Sequence, residues 1–224
     1  MVEQRDIDII LNNPIDWERF RGKTVLITGA TGRLGMYLVE AINKADIDWN
    51  LNITILALAR NEKRLAEVFG ASLQLPNIHP LVQDIEEPIR WDGDVHYIFH
   101  TAGLASPRDF TRWPVNTLWG HVQGTRNVLE LAREKKSEKV LYVSTVEIYG
   151  EWTKEEGIRE EYMGPIYCDH AMACYPEAKR LCETMLASYE AQYQGPYMGV
   201  RLCHTFGPGI SLKTEELFRN LSAM

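Results

Sequence analysis

The chain has 224 residues, 45% of them apolar and 25% charged, with a formal net charge of −7 at pH 7. That length can bury one sizeable core, and the composition is that of a globular domain. The acidic balance excludes a nucleic-acid backbone or an anionic membrane surface as the expected partner, and no apolar run approaches the roughly 20 residues of a membrane span.

Residues 1–21 read as an N-terminal arm. Ile7, Ile9, Ile10 and Leu11 suggest a short helix, and Pro14 breaks it. The start, Met1-Val-Glu-Gln-Arg-Asp, lacks the basic-then-apolar layout of a signal peptide, so the expected compartment is the cytoplasm. From residue 22 to residue 224 strands and helices alternate. Strands are expected over 24–28, 53–59, 78–82, 95–100, 140–145 and 198–203. Helices are expected over 33–44, 62–69, 113–134 and 176–192. The strand runs are apolar on both faces, as in a parallel sheet covered by helices. The fold class is therefore α/β, a doubly wound parallel sheet of the Rossmann type, with strand order 3-2-1-4-5-6. Its ligand crevice lies at the carboxyl ends of the strands. Residues 151–170 are rich in acids and read as a loop over the crevice mouth. The four cysteines, Cys168, Cys174, Cys182 and Cys203, form no Cys-x-x-Cys pair and match no zinc spacing, so no metal is expected.

The first strand stops at Gly29, and Gly29, Gly32 and Gly35 follow at three-residue spacing before an amphipathic segment. Strand, tight turn and helix start point free backbone N–H groups and the positive end of a helix dipole at one spot, which favours phosphate. In that context the glycines point to a dinucleotide, with Thr31, Arg33 and Leu34 as further contacts.

Tyr175 and Lys179 lie four residues apart, on one helical face. A tyrosine pKa of about 10 is too high for a base at neutral pH, and a nearby ammonium lowers it. Taken alone, the pair would better describe an exposed tyrosine beside a solvated lysine, since such pairs are common on helices. It is not alone: the fifth strand ends in Ser144 and Thr145, whose hydroxyls can steady an oxygen during hydride transfer. Glu147 follows as a candidate acid or base. Proline disfavours helical geometry in the residue before it, so Pro176 suggests that the helix begins here.

Together these segments resemble the extended short-chain dehydrogenase/reductases, in particular the NAD-dependent nucleotide-sugar epimerase/dehydratase branch. Gly29-x-x-Gly32-x-x-Gly35 is similar to its cofactor motif. Asp84-Ile85 resembles its adenine contact, and His100-Thr101-Ala102-Gly103 its turn after strand four. Tyr175-Pro-Glu-Ala-Lys179 resembles its Tyr-x-x-x-Lys pair, and Arg201 to Pro208 the segment that meets the nucleotide sugar. Ala105-Ser106-Pro107 and the stretch around Ala173–Met185 look most like the UDP-glucuronate decarboxylase type. The resemblance implies Thr145, Glu147, Tyr175 and Lys179 as catalytic residues. It implies Ser144, Tyr175 and Lys179 among the cofactor contacts, and Ser106, Pro107, Arg108 and His204 as substrate contacts. It implies oxidation of a UDP- or dTDP-linked sugar at C4, then decarboxylation, dehydration or epimerisation.

Val146 stands where the dehydratases carry the first of two carboxylates, which favours decarboxylation. His121 and His204 stand where the branch shows asparagine. The resemblance implies NAD as cofactor and a homodimer formed by the two long helices. The second strand, however, ends Ala59-Arg60-Asn61 without the acid that bonds a ribose 2′-hydroxyl. Arg60 suits a 2′-phosphate, so NADP stays open, and with it an NADPH-dependent carbonyl reductase. Relatives run on for roughly another hundred residues, the size of a small further domain. The C-terminal substrate domain is thus expected to be largely absent, which leaves a non-catalytic dinucleotide-binding fragment as a further reading.

Overall fold

The computed structural model describes residues 2–153 and 156–205. Six strands form one parallel sheet: β1 (Thr24–Thr28), β2 (Thr54–Ala59), β3 (Ile78–Val82), β4 (Tyr97–His100), β5 (Lys139–Thr145) and β6 (Tyr197–Leu202). Their order is β3-β2-β1-β4-β5-β6, as expected. The order reverses between β1 and β4, and the carboxyl ends of the strands flank that point, where such sheets take ligands.

Side chains alternate across each strand. Val25 and Ile27 of β1 and Ile55 and Ala57 of β2 face one layer with Val39, Ile42 and Leu65. Those partners come from α2 (Arg33–Trp49) and α3 (Glu62–Phe69). Leu26, Leu56 and Ile98 face the opposite layer with Val128, Leu131 and Ala132 of α5 (Pro114–Lys135). A third cluster joins Leu129 and Tyr142 to Cys182 and Leu186 of α6 (Cys174–Tyr193). Both faces are thus dry, which is why the strands read as continuous apolar runs.

The arm is partly helical: α1 (Gln4–Leu11) buries Ile7, and Asp6 accepts a 2.6 Å bond from the Tyr37 hydroxyl on α2. A short helix α4 (Pro107–Arg112) precedes α5. Helix α6 starts at Cys174, earlier than Pro176 suggested. The proline sits within the first turn, where its missing N–H removes no helical bond.

Between residues 150 and 170 the described residues form neither helix nor strand. The Arg180 guanidinium donates to the Ile148 and Gly164 carbonyls, and Arg201 donates to the Glu160 carbonyl at 2.6 Å. These bonds tie the segment to the β5–β6 side of the sheet rather than over the switch point. Among the described residues no helix is long and apolar enough to cross a membrane.

Candidate functional site

A groove of about 310 Å³ opens at the switch point. Gly29, Thr31 and Gly32 supply its floor, and Arg60 its end beyond β2. Asp84 and Ile85 after β3, and Thr101, Ala102 and Gly103 after β4, supply its walls. The expected cofactor residues therefore converge, although they come from four separate loops.

The glycines have a physical reason to be there. Gly29 sits at φ +68°, and a Cβ on it would lie 2.8 Å from Ala102 Cα. A Cβ on Gly35 would collide with the Gly29 carbonyl and lie 2.7 Å from Ala30 Cα. These contacts bring β1, α2 and the β4 turn close together, with Gly32, the residue that caps the start of α2, at the groove. Arg33 and Leu34 are the first residues of α2 and do not line the groove; Gly35 acts through packing. The Thr28 hydroxyl accepts from Ala102 N at 3.3 Å, and the Thr101 hydroxyl donates to Thr28 O at 2.7 Å. The rim is thereby fixed by bonds between β1 and the β4 turn.

Among the lining residues that the sequence reading missed are Gln83, Asn116 and Gly120. Gln83 bonds the Asp84, Glu87 and Pro88 carbonyls and so shapes the loop after β3. Asn116 and Gly120 of α5 line the opposite wall. They stand four residues apart, on one helical face, and that spacing was the available clue.

Tyr175 and Lys179 share one buried face of α6, at 6% and 5% exposure. The Lys179 ammonium lies 5.9 Å from the Tyr175 ring centre and 4.6 Å from that of Tyr142. It donates to the Val143 carbonyl of β5 at 2.7 Å. Thr145 ends β5 in register with Leu202 of β6, and its hydroxyl accepts from Glu147 N at 3.3 Å. Tyr175 stacks on Phe110 of α4 with ring centres 5.1 Å apart and meets the edge of His121 at 5.4 Å. His121 lies against Gly103, and its Nε2 bonds the Leu104 carbonyl at 3.0 Å. Gly103 and Leu104 also line the groove, so a continuous packed path joins it to the tyrosine.

The electrostatics correct one expectation. Burial pushes the Tyr175 phenol up to about 12; the Thr145 hydroxyl opposes this and Glu147 adds to it. Lys179 does not lower it here. Burial draws the lysine itself down to about 8, with Cys182 and Glu183 acting against the shift. Desolvation of the charged form is thus the largest cause of both shifts.

Ser106 caps α4 through its carbonyl, which accepts from Asp109 N and Phe110 N, and Pro107 is the first helical residue. Arg108 is exposed on the same short helix that presses Phe110 on Tyr175. His204 is exposed just beyond β6, on the edge that holds Thr145. Residues 206–208 of the segment that begins at Arg201 lie outside the described residues.

The groove suits a dinucleotide with its phosphates at the glycine turn; the buried Ser144 hydroxyl, which has no partner among the described residues, does not line it.

A family model described as the NAD dependent epimerase/dehydratase family matches residues 25–223. UDP-glucuronic acid decarboxylase 1 of Xenopus tropicalis is 30% identical over 198 residues, which cover 88% of this chain and 45% of that protein. The chain spans about half the length of the curated relatives it matches. Among solved structures, UDP-N-acetylglucosamine 4-epimerase from Methanobrevibacter ruminantium M1 superposes with a TM-score of 0.69 at 22% identity, covering 87% of this chain and 59% of that one. A dTDP-glucose 4,6-dehydratase from Streptomyces venezuelae with NAD and TYD bound gives 0.69 at 20% identity, covering 89% and 62%. These two likenesses carry the fold. With the family match running from residue 25 to residue 223, the chain belongs to the NAD-dependent epimerase/dehydratase family.

Proposed function

We propose that this chain carries the cofactor-binding and catalytic part of an enzyme that oxidises a nucleotide sugar at C4 and then decarboxylates it. The observation that carries this reading is the meeting of Thr145, Tyr175 and Lys179 at the carboxyl edge of the sheet, joined to the dinucleotide groove through His121. Tyr175 takes the C4 hydroxyl proton, and the Thr145 hydroxyl holds the same oxygen. Lys179, held by the Val143 carbonyl on the same face of α6, would bond the nicotinamide ribose of a bound dinucleotide. When bound, an oxidised nicotinamide dinucleotide supplies the acceptor for the C4 hydride. The resulting 4-keto group lies β to a C6 carboxylate, so CO₂ can leave with its electrons held by the ketone. Protonation at C5 and return of the hydride to C4 complete a redox-neutral cycle.

Two observations favour decarboxylation. Val146 has no proton to give a departing hydroxyl, which weighs against dehydration. The curated relatives named above are UDP-glucuronic acid decarboxylases. Incubation with a panel of UDP-, dTDP- and GDP-linked sugars, analysed by mass, tests the reading. Loss of the mass of CO₂ from a uronic acid substrate supports it. Loss of the mass of water, or no loss, refutes the second step.

Trp113 just before α5, Val115 and Trp119 of α5 and Leu181 of α6 are exposed apolar side chains on adjoining helices. They support the pairing of two copies through α5 and α6. A sedimentation mass of two chains is expected, and Trp119→Glu should give one. A monomeric parent protein would rule the pairing out.

A further inference from the structure

Beside the groove lies a second cavity of about 350 Å³, built from the end of β2 and the first turn of α3. Thr31 and Arg60 line both, so the second cavity opens from the groove at the glycine turn. Its remaining wall is Asn61, Lys63, Arg64 and Glu67. Three cations thus face one carboxylate. That carboxylate is engaged, with Glu67 Oε2 at 3.3 Å from Arg64 Nη1. Among the described residues no carboxylate stands within ion-pair distance of Arg60 or Lys63.

The local backbone holds this arrangement. The Asn61 side chain accepts from Arg64 N at 3.0 Å and caps α3. The cap fixes where the helix starts, and with it the direction in which Lys63 and Arg64 leave the first turn. In this fold the end of the second strand meets the adenosine ribose: an acid there bonds the 2′-hydroxyl, whereas an arginine accommodates a 2′-phosphate. A carboxylate at that point would repel a phosphate; this chain has Arg60 and Asn61 instead.

We propose that this cavity is a 2′-phosphate subsite and that the chain prefers the phosphorylated dinucleotide, NADP(H), over NAD(H). The proposal rests on the reading of the groove as a dinucleotide site and adds its specificity. Arg60 contributes planar guanidinium donors to the phosphate oxygens, and Lys63 and Arg64 add charge from the helix start. All three are solvent-exposed, so the preference is salt-sensitive.

Calorimetric titration of the 224-residue chain tests it, with NADP⁺, NAD⁺, 2′,5′-ADP and ADP as probes at low and high salt. NADP⁺ is expected to bind at least about tenfold tighter than NAD⁺, the scale of charge-assisted hydrogen bonds to one added phosphate. 2′,5′-ADP should exceed ADP by a similar factor, and both margins should shrink with salt. Arg60→Ala should cut the NADP⁺/NAD⁺ affinity ratio about tenfold, and Arg60→Asp should reverse it. Equal or tighter NAD⁺ binding, or a ratio that Arg60→Ala leaves unchanged, overturns the subsite while the groove reading stands. Failure of every probe to bind overturns both.

Discussion

Tyr175→Phe will lower nucleotide-sugar conversion by roughly 10²- to 10⁴-fold, the usual contribution of a positioned acid–base group. Dinucleotide affinity should change only a few fold. The substitution is a clean one because it removes the oxygen and keeps the ring. The phenyl group left in place would still stack on Phe110 and meet His121, the contacts that seat α6 against α4 and α5. Thermal stability is therefore expected to hold. The pH profile of the parent enzyme adds a second check. The phenol stands at about 12 and the lysine at about 8, so both are displaced by burial toward their uncharged forms. The base must be ionised to take a proton, and burial has raised this phenol, so turnover should climb as pH rises above neutrality. A Tyr175→Phe enzyme that still converts substrate would remove the tyrosine from the mechanism.

What could be read in the residues before any coordinates depended on how local its cause was. The glycine turn was legible because its requirement is backbone geometry: Gly29 and Gly35 mark places where no side chain fits. The sheet order followed from the alternation of apolar runs and helices. Element ends were less legible, because tertiary bonds decide them. The fourth strand was expected from residue 95 but begins at Tyr97, since the Val95 carbonyl accepts from the Ser137 hydroxyl instead of a ladder partner. Helix α2 runs past residue 44 to Trp49. Asp46 in that last stretch accepts from Ile53 N and Asn77 Nδ2, which ties the helix end to β2 and β3. The Tyr-x-x-x-Lys spacing showed a shared face but not its burial. Phe110 and His121, which enclose the tyrosine, are remote in sequence, and nothing in their spacing showed that they would meet it. The direction of the phenol's pKa was missed for the same reason: the ammonium was visible in the sequence, and the desolvation was not.

Acid should destabilise this fold earlier than its carboxylates alone would predict, because two histidines are buried in neutral form close to Lys179. His100 bridges the Thr28 hydroxyl at 2.8 Å and the Thr125 hydroxyl at 3.2 Å, at 1% exposure. His121, also at 1%, bonds Leu104 O and packs on Tyr175. Burial drives both down from 6.5 to about 3, and the charge of Lys179 nearby adds to the shift in each case. The sign follows from proton uptake. Between about pH 6.5 and pH 3 the unfolded chain binds protons that the folded chain refuses, so stability is complete above 6.5 and is lost as pH falls. Each histidine contributes roughly 1 kcal/mol of loss per pH unit across that window, a steep slope for a fold whose whole margin is on the order of 5–15 kcal/mol. Denaturant titrations at a series of pH values should show the midpoint falling from pH 6 downward. His121→Asn keeps a polar group for the Leu104 carbonyl but cannot take a proton, so it should remove about half of the slope. A midpoint that stays flat between pH 6 and pH 4 would mean that these rings, or the packing around them, open to water without cost. The tight contacts of His121 with Gly103 and Tyr175 argue against that.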